Sequence, residues 1–490
     1  MVQYERTMMN DGDSELMVAS VWSRGRKFAS IGVLLLINLL NYMDRFTIAG
    51  VLTQIQKYFD IDDSKAGLLQ TVFVVFYMMI APICGYCGDR YNRKFIMEVG
   101  LIVWMVSVAL STLCGPAQFY LFMLCRGLVG VGEASYVTIA PTIIADIFTR
   151  NQRSYAFMVF YFAIPVGSGL GYATGAAFSL WTNTWQWGVR VTPIFGIICF
   201  LLLFFIIEEP VRGEPVHSNQ MLSSFTADIK YLLTVRTYIT TTLGLTSIAF
   251  VVGCLAWWTP TLMQYAWGVH HGTSYISDEV KAAMGLLFGI VTCLAGFFGV
   301  LFGSVLSQIW QSGFGIIPKN DHADLHACVL GSLLAVPFLY LGLMLSSKNV
   351  ALCLIFTFLT VTGCCVNWAV SMDILMSIMS SRRRSIATAV QTLTLHLLGD
   401  AFSPYLIGLI SDAIRGSERS TLAHFIALQR SLFVPNFVLC FGSFMFLVST
   451  FYIDQDRRKA NDSTHGEQIT TENASDTSPL IDSVEHLLTT

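Results

Sequence analysis

Long apolar runs broken by short polar bursts set the pattern of this chain. Runs of about 20 residues or more recur near 30–54, 66–88, 95–115, 118–148, 154–178 and 189–208. A second set lies near 237–267, 281–310, 325–346, 349–379, 384–413 and 428–453. At its rise per residue, a helix of this length crosses about 30 Å of hydrocarbon and satisfies its own backbone while doing so. The pattern predicts an all-α membrane protein of twelve transmembrane helices in two six-helix halves, 30–208 and 237–453. Residues 1–29 read as a cytosolic N-terminal segment. Residues 209–236, rich in Pro, Glu, Ser and Thr, read as a cytosolic linker, and 454–490 as a disordered cytosolic tail.

Charge orients this frame. With the N-terminus inside, 19 of the 29 Lys and Arg residues fall in cytosolic segments and 8 in outward loops. The remaining two, Arg45 and Arg126, fall deep inside spans, Arg190, Lys281, Arg384 and Arg430 at span ends being counted with the adjoining segments. The bias predicts both termini in the cytosol. The sequons at Asn461 and Asn473 would then lie in the cytosolic tail, away from glycosylation. The polar first thirty residues, with Arg24, Arg26 and Lys27, predict a first run that stays in the membrane rather than a cleaved leader.

Composition agrees and excludes other classes. Apolar residues make up 54% of the chain and charged residues 12%, about half the usual globular share. A net charge of −3 implies no nucleic acid partner. The twelve cysteines sit almost wholly in apolar runs, with no disulfide framework; Cys84 and Cys87 have a CxxC spacing in a helical context that does not suit redox work. No nucleophile–base set, nucleotide loop or metal cluster is evident, so neither enzyme chemistry nor a cofactor is expected.

Ionisable residues inside spans cost about 2.5–3.5 kcal/mol each by insertion scales, so each demands a reason. Asp44 and Arg45 lie in the first helix. Neighbours in sequence diverge by about 100° on a helix, so Asp44 is expected to carry a proton or to pair with a cation from another helix. Arg126 and Glu133, seven apart in the fourth helix, share a face. Arg126 can grip a phosphate or carboxylate through its planar fork. Glu133, held away from water, can exchange protons near neutrality. A buried ion pair that only ties helices one and four together is the plainer alternative. In the eleventh helix His396 and Asp400 are one turn apart, an arrangement suited to proton exchange. Asp373 in the tenth is expected to be structural.

Other features read as packing or sorting. Gly167, Gly171 and Gly175 form a stripe in the fifth helix that predicts close packing and rocking, not ligand binding. Trp257, Trp258, Trp185 and Trp187 are expected in the interfacial aromatic belt. In the tail, Asp476 with Leu480 and Ile481 resembles an acidic dileucine signal read by clathrin adaptors.

Residues 85–94, Gly-Tyr-Cys-Gly-Asp-Arg-Tyr-Asn-Arg-Lys, resemble the loop between the second and third helices of major facilitator transporters. The stretches Asn41–Leu52, Arg126–Tyr136, Phe160–Tyr172 and His396–Asp400 with Ser403–Gly408 resemble the Spinster family within that superfamily. The resemblance covers about 30–453. It implies alternating access and transport of single-chain lipids. The branches it points to are proton-coupled export of lysophosphatidylcholine and lysophosphatidylethanolamine from late endosomes or lysosomes, and export of sphingosine-1-phosphate or another sphingolipid at the plasma membrane. A sugar carrier or a non-transporting receptor remains open, and a monomer is expected. It also implies substrate and proton roles for Asp44, Arg45, Arg126, Glu133, His396 and Asp400. In the same way it implies a cytosolic gate made by Gly85, Asp89, Arg90 and Arg93, with Asp89 and Arg90 holding the start of the eleventh helix and Asp146 nearby.

Overall fold

The computed structural model describes residues 24–148, 150–209, 225–313, 318–380 and 383–460. The proposed sorting signal (Asp476, Leu480, Ile481), both sequons and most of the N-terminal segment lie outside them, as does the side chain of Asp89. The first half comprises α1 (Arg24–Gly50), its continuation α2 (Leu52–Phe59), α3 (Asp63–Arg90), α4 (Arg93–Ser111), α5 (Phe119–Ile147), α6 (Arg150–Thr182) and α7 (Trp185–Ile206). A short helix, α8 (Phe225–Leu232), precedes the second half. That half comprises α9 (Arg236–His270), α10 (Asp278–Ser312), α11 (Ala323–Leu345), α12 (Val350–Ile378), α13 (Arg384–Leu395), α14 (Phe402–Arg415), α15 (Thr421–Ser431) and α16 (Val434–Ser449). A single π turn, His396–Asp400, joins α13 to α14.

Eleven spans among the described residues are long and apolar enough to cross a membrane. The twelfth crossing is α6. Its glycine stripe runs along α1 in step: Gly167 faces Leu39, Gly171 faces Met43 and Gly175 faces Thr47. Contacts that advance together by four residues mean that the two helices run parallel over at least two turns. The stripe thus ties α6 to α1 inside one half. A different residue, Gly169, meets Gly289 of α10 across the halves, where a Cβ on either would press on the other's backbone.

The halves touch unevenly. A Cβ on Gly67, near the start of α3, would lie 2.8 Å from Tyr405 Cα of α14, and nearer still to the Pro404 carbonyl. Gly85 is 18 residues on, five helical turns, and so faces the same way. A Cβ there would meet nothing within 4 Å. Between them, Thr71 Oγ1 donates to Ala401 O at 2.5 Å. The two bundles therefore close at the end of α3 that the charge count assigns to the non-cytosolic side, and part toward the cytosol.

The tryptophan expectation is corrected in part. Trp257, Trp258 and Trp185 are buried inside the protein, and only Trp187 of the four is exposed. Trp258 Nε1 donates to Pro404 O at 2.9 Å and Trp185 packs edge-on to Phe122, so these rings brace helices rather than float in an interface.

Candidate functional site

The ionisable residues of the first half converge in one buried cluster between α1 and α5. Asp44 does not pair with its neighbour Arg45. Instead Arg126 Nη1 donates to Asp44 Oδ2 at 3.2 Å, and Thr192 Oγ1 of α7 donates to Asp44 Oδ1 at 2.6 Å. Arg45 Nη2 donates to Glu133 Oε2 at 3.2 Å. Two pairs thus bridge the same two helices.

The pairs differ in completeness. Asp44 and Thr192 are 0% exposed and Arg126 is 1% exposed, so the first unit is sealed, with a donor on each carboxylate oxygen. The second is less closed. The Arg45 side chain keeps 11% exposure. Its Nε is buried without a partner. Asn41, with its amide turned so that nitrogen faces the carboxylate, donates to Glu133 Oε1 at 3.0 Å. The Arg45 guanidinium lies 4.8 Å from the ring centroid of Phe73, 5.2 Å from Tyr42 and 5.7 Å from Tyr77. These rings hold a cation in apolar surroundings without consuming its hydrogen-bond donors. A small cavity lined by Asn41, Glu133, Trp104 and Tyr136 adjoins the pair.

His396 and Asp400 lie across from this cluster. His396 Nδ1 is 3.0 Å from each carboxylate oxygen of Asp400. Both sit on the π turn, where Ala401 N donates to His396 O at 2.9 Å, one residue wider than an α-helical bond. The turn packs on α9: a Cβ on Gly253 would fall 2.7 Å from Asp400 Cβ. The charge of Asp400 reaches Arg45, Tyr42 and Tyr77, as the weakest of the influences on each. The structure therefore brings four of the six expected residues, Arg45, Glu133, His396 and Asp400, toward one another, while Asp44 and Arg126 are shut in the sealed unit.

Of the expected gate residues, Arg90, Arg93 and Asp146 lie at the end that the charge count assigns to the cytosol, with partners of their own half. Arg93 Nη1 donates to Asp146 Oδ2 at 2.5 Å. The guanidinium of Arg90 lies over the ring of Tyr86, 3.7 Å from its centroid. Lys94 Nζ donates to Phe204 O at 2.6 Å. The approach to the eleventh span is held by α8: Arg383 Nε donates to Asp228 Oδ1 at 3.0 Å and lies over Tyr231.

Sequence reasoning missed Thr192, because a neutral hydroxyl in a span raises no charge alarm. It also missed the aromatic enclosure of Arg45, since its three rings come from two helices.

Known proteins share this frame. The Major Facilitator Superfamily model matches residues 34–318, more than half of the chain. Protein spinster homolog 1 of Mus musculus is 45% identical over 445 residues, which is 89% of this chain and 83% of that protein. Protein spinster homolog 3 of Danio rerio is 41% identical, over 93% of this chain and 91% of that one. The sphingosine-1-phosphate transporter SPNS2 of Xenopus tropicalis is 40% identical, over 90% and 84%. A solved bacterial homolog of the human lysosomal transporter Spinster, inward-facing and occupied, superposes with a TM-score of 0.75 at 20% identity, covering 89% of this chain and 99% of that one.

Proposed function

The chain belongs to the Spinster family of the major facilitator superfamily, transporters and not enzymes, and from that premise we propose that it exports lysophospholipids from the lysosome lumen to the cytosol, coupled to protons. The observation that carries the reading is the unequal completion of the two buried pairs. The Asp44–Arg126–Thr192 unit is sealed from water and acts as a strut. In the second pair both Glu133 oxygens are taken as well, but the Arg45 side chain keeps 11% exposure and leaves its Nε unused.

This asymmetry suits coupled transport. A proton on Glu133 removes the charge that holds Arg45, whose guanidinium then takes the lipid phosphate by charge-assisted hydrogen bonds. In a neutral compartment Glu133 releases the proton, reclaims Arg45 and displaces the phosphate. Proton and lipid thus travel the same way, out of the acidic lumen. His396 and Asp400 supply the exchanging pair on the opposite wall. The lysosomal assignment draws its support from the human relative of the bacterial structure, a lysosomal transporter.

The test is uptake of radiolabelled lysophosphatidylcholine into proteoliposomes with acid outside. Acid should stimulate uptake about tenfold or more in the native protein, and Glu133→Gln should leave a low flux that no longer responds to pH. A native flux indifferent to pH, or a Glu133→Gln variant that keeps its acid response, would overturn the coupling. One observation favours a second reading: the 40% identity to a sphingosine-1-phosphate transporter. Sphingosine-1-phosphate offers the same phosphate to Arg45, and stronger competition by it than by lysophosphatidylcholine would favour that substrate. Surface residence unchanged by Leu480→Ala and Ile481→Ala would favour the plasma membrane.

A further inference from the structure

At the closed end of the halves lies a second set of titratable groups, remote from the cluster above. Asp412 of α14 accepts from the start of α3: Asp63 N donates to its Oδ1 at 3.1 Å and Ser64 N to its Oδ2 at 2.7 Å. Asp63 in turn accepts from Gln56 on Oδ1 and from Ser411 on Oδ2, each at 2.7 Å. Arg415 Nη2 donates to Asp412 Oδ1 at 2.7 Å and to Asp62 Oδ1 at 3.1 Å. A Cβ on Gly408 would lie 2.9 Å from Ser64 N, so backbone meets backbone here.

His424 of α15 plugs this network from the second half. Its ring stacks on Tyr265 of α9, centroids 5.1 Å apart. Its Nε2 is 3.4 Å from Arg415 Nη1. A guanidinium only donates, so the facing ring nitrogen must accept, and the one ring proton sits on Nδ1. That Nδ1 is buried without a partner. The closed gate therefore holds a neutral His424.

The surroundings oppose a second proton on the ring. The charged and titratable groups that act on His424 are Arg415 and Asp412 from α14, Asp62 and Asp63 from the start of α3, and Tyr265 from α9. All four oxygens of Asp63 and Asp412 already accept hydrogen bonds. Asp62 is engaged by Arg415 and its side chain is 59% exposed. Burial of the ring and the Arg415 guanidinium beside it oppose an imidazolium, which would also put a donor against the Arg415 donor, and they act against the attraction of Asp63, Asp412 and Asp62.

We propose that His424 is the proton sensor of the outer gate: the gate closes on the neutral ring and opens when the outer compartment protonates it. The sign follows from linkage. The open gate exposes His424 to water and binds its proton with ordinary affinity, the closed gate binds it less well, and acid therefore favours the open form. Each tenfold difference in proton affinity between the two forms shifts their balance up to about tenfold across the titration.

The test follows the gate and not lipid flux, so its outcome does not depend on which lipid is carried, and the two His424 variants separate this sensor from any pH response of Glu133. Spin labels are attached through unnatural amino acids at Thr184 and Lys348, exposed outer-side positions on the two halves, which leaves the twelve cysteines intact. Full-length protein in nanodiscs is measured by double electron–electron resonance between about pH 7.5 and 5.0, the histidine range. The long-distance population should rise about fivefold or more in the native protein. His424→Phe, which keeps the stack on Tyr265, should abolish the rise, and His424→Gln, which keeps an acceptor for Arg415, should do the same if the Phe variant folds poorly. A native distribution that does not move, a rise that persists in both variants, or a response confined to the carboxylate range below about pH 4.5 would overturn the proposal.

Discussion

Single residues carry unequal weight in the buried cluster. Thr192 spends its hydroxyl on Asp44 Oδ1 in a site that water does not reach, so Thr192→Val leaves a buried carboxylate oxygen short of one donor. The expected cost is about 1–3 kcal/mol, read as a lower midpoint of thermal unfolding in detergent, and Thr192→Ser should recover most of it. Asp44, Arg45, Arg126 and Glu133 were legible because a charge in a membrane helix is rare and costly. Which carboxylate meets which cation was not legible. It depends on how far each arginine reaches along a neighbouring helix, and spacing within one helix says nothing of that. Asp63, Asp412 and Arg415 escaped notice for the opposite reason: at the end of a span a charge needs no explanation until the fold shows it facing its counterpart.

At the scale of the helix, α3 records the state of the protein along one face. Gly67 is pressed against α14 and Gly85, five turns further, faces open space. A leucine distinguishes the two ends. At Gly85 the Cβ of a leucine would stand in open space, and the side chain would obstruct a cytosolic closure that brought α13 as near as α14 now is. Gly67→Leu cannot fit here at all. Double electron–electron resonance between outer-side labels should show Gly85→Leu biased toward the closed outer gate and Gly67→Leu toward the open one, each by about fivefold or more. Equal distributions in both variants would mean that this face is not the one that closes. Periodicity located α3 to within a few residues, since an apolar run of the right length leaves little freedom. It did not reveal the π turn at His396–Asp400, because one extra residue in a turn leaves no mark on an apolar pattern. Nor did it reveal α8, whose Asp228 and Tyr231 hold Arg383 ahead of the eleventh span.

Across the whole molecule, the two halves divide the chemistry unevenly. The first half holds both buried ion pairs, and the second contributes His396 and Asp400 from the facing wall. Arg45 stands between the two contributions, paired to Glu133 and within electrostatic reach of Asp400. If Arg45 is shared in this way, neither carboxylate is its sole counter-charge. Glu133→Gln alone should be tolerated because Asp400 remains, and Asp400→Asn alone because Glu133 remains. The double variant strands a guanidinium among Tyr42, Phe73 and Tyr77, whose faces offer only part of the missing stabilisation. A double-mutant cycle on thermal unfolding should therefore be non-additive, with the double variant worse than the sum by about 1–3 kcal/mol. Coupling of that sign joins the halves through one cation in the state closed at its outer end. The same cycle repeated on Gly67→Leu, which favours the other state, should lose most of the coupling, because opening the outer gate carries α14 and the π turn away from α1. Additive effects in the native background would place Asp400 outside the charge balance of Arg45 and leave His396 as its only partner.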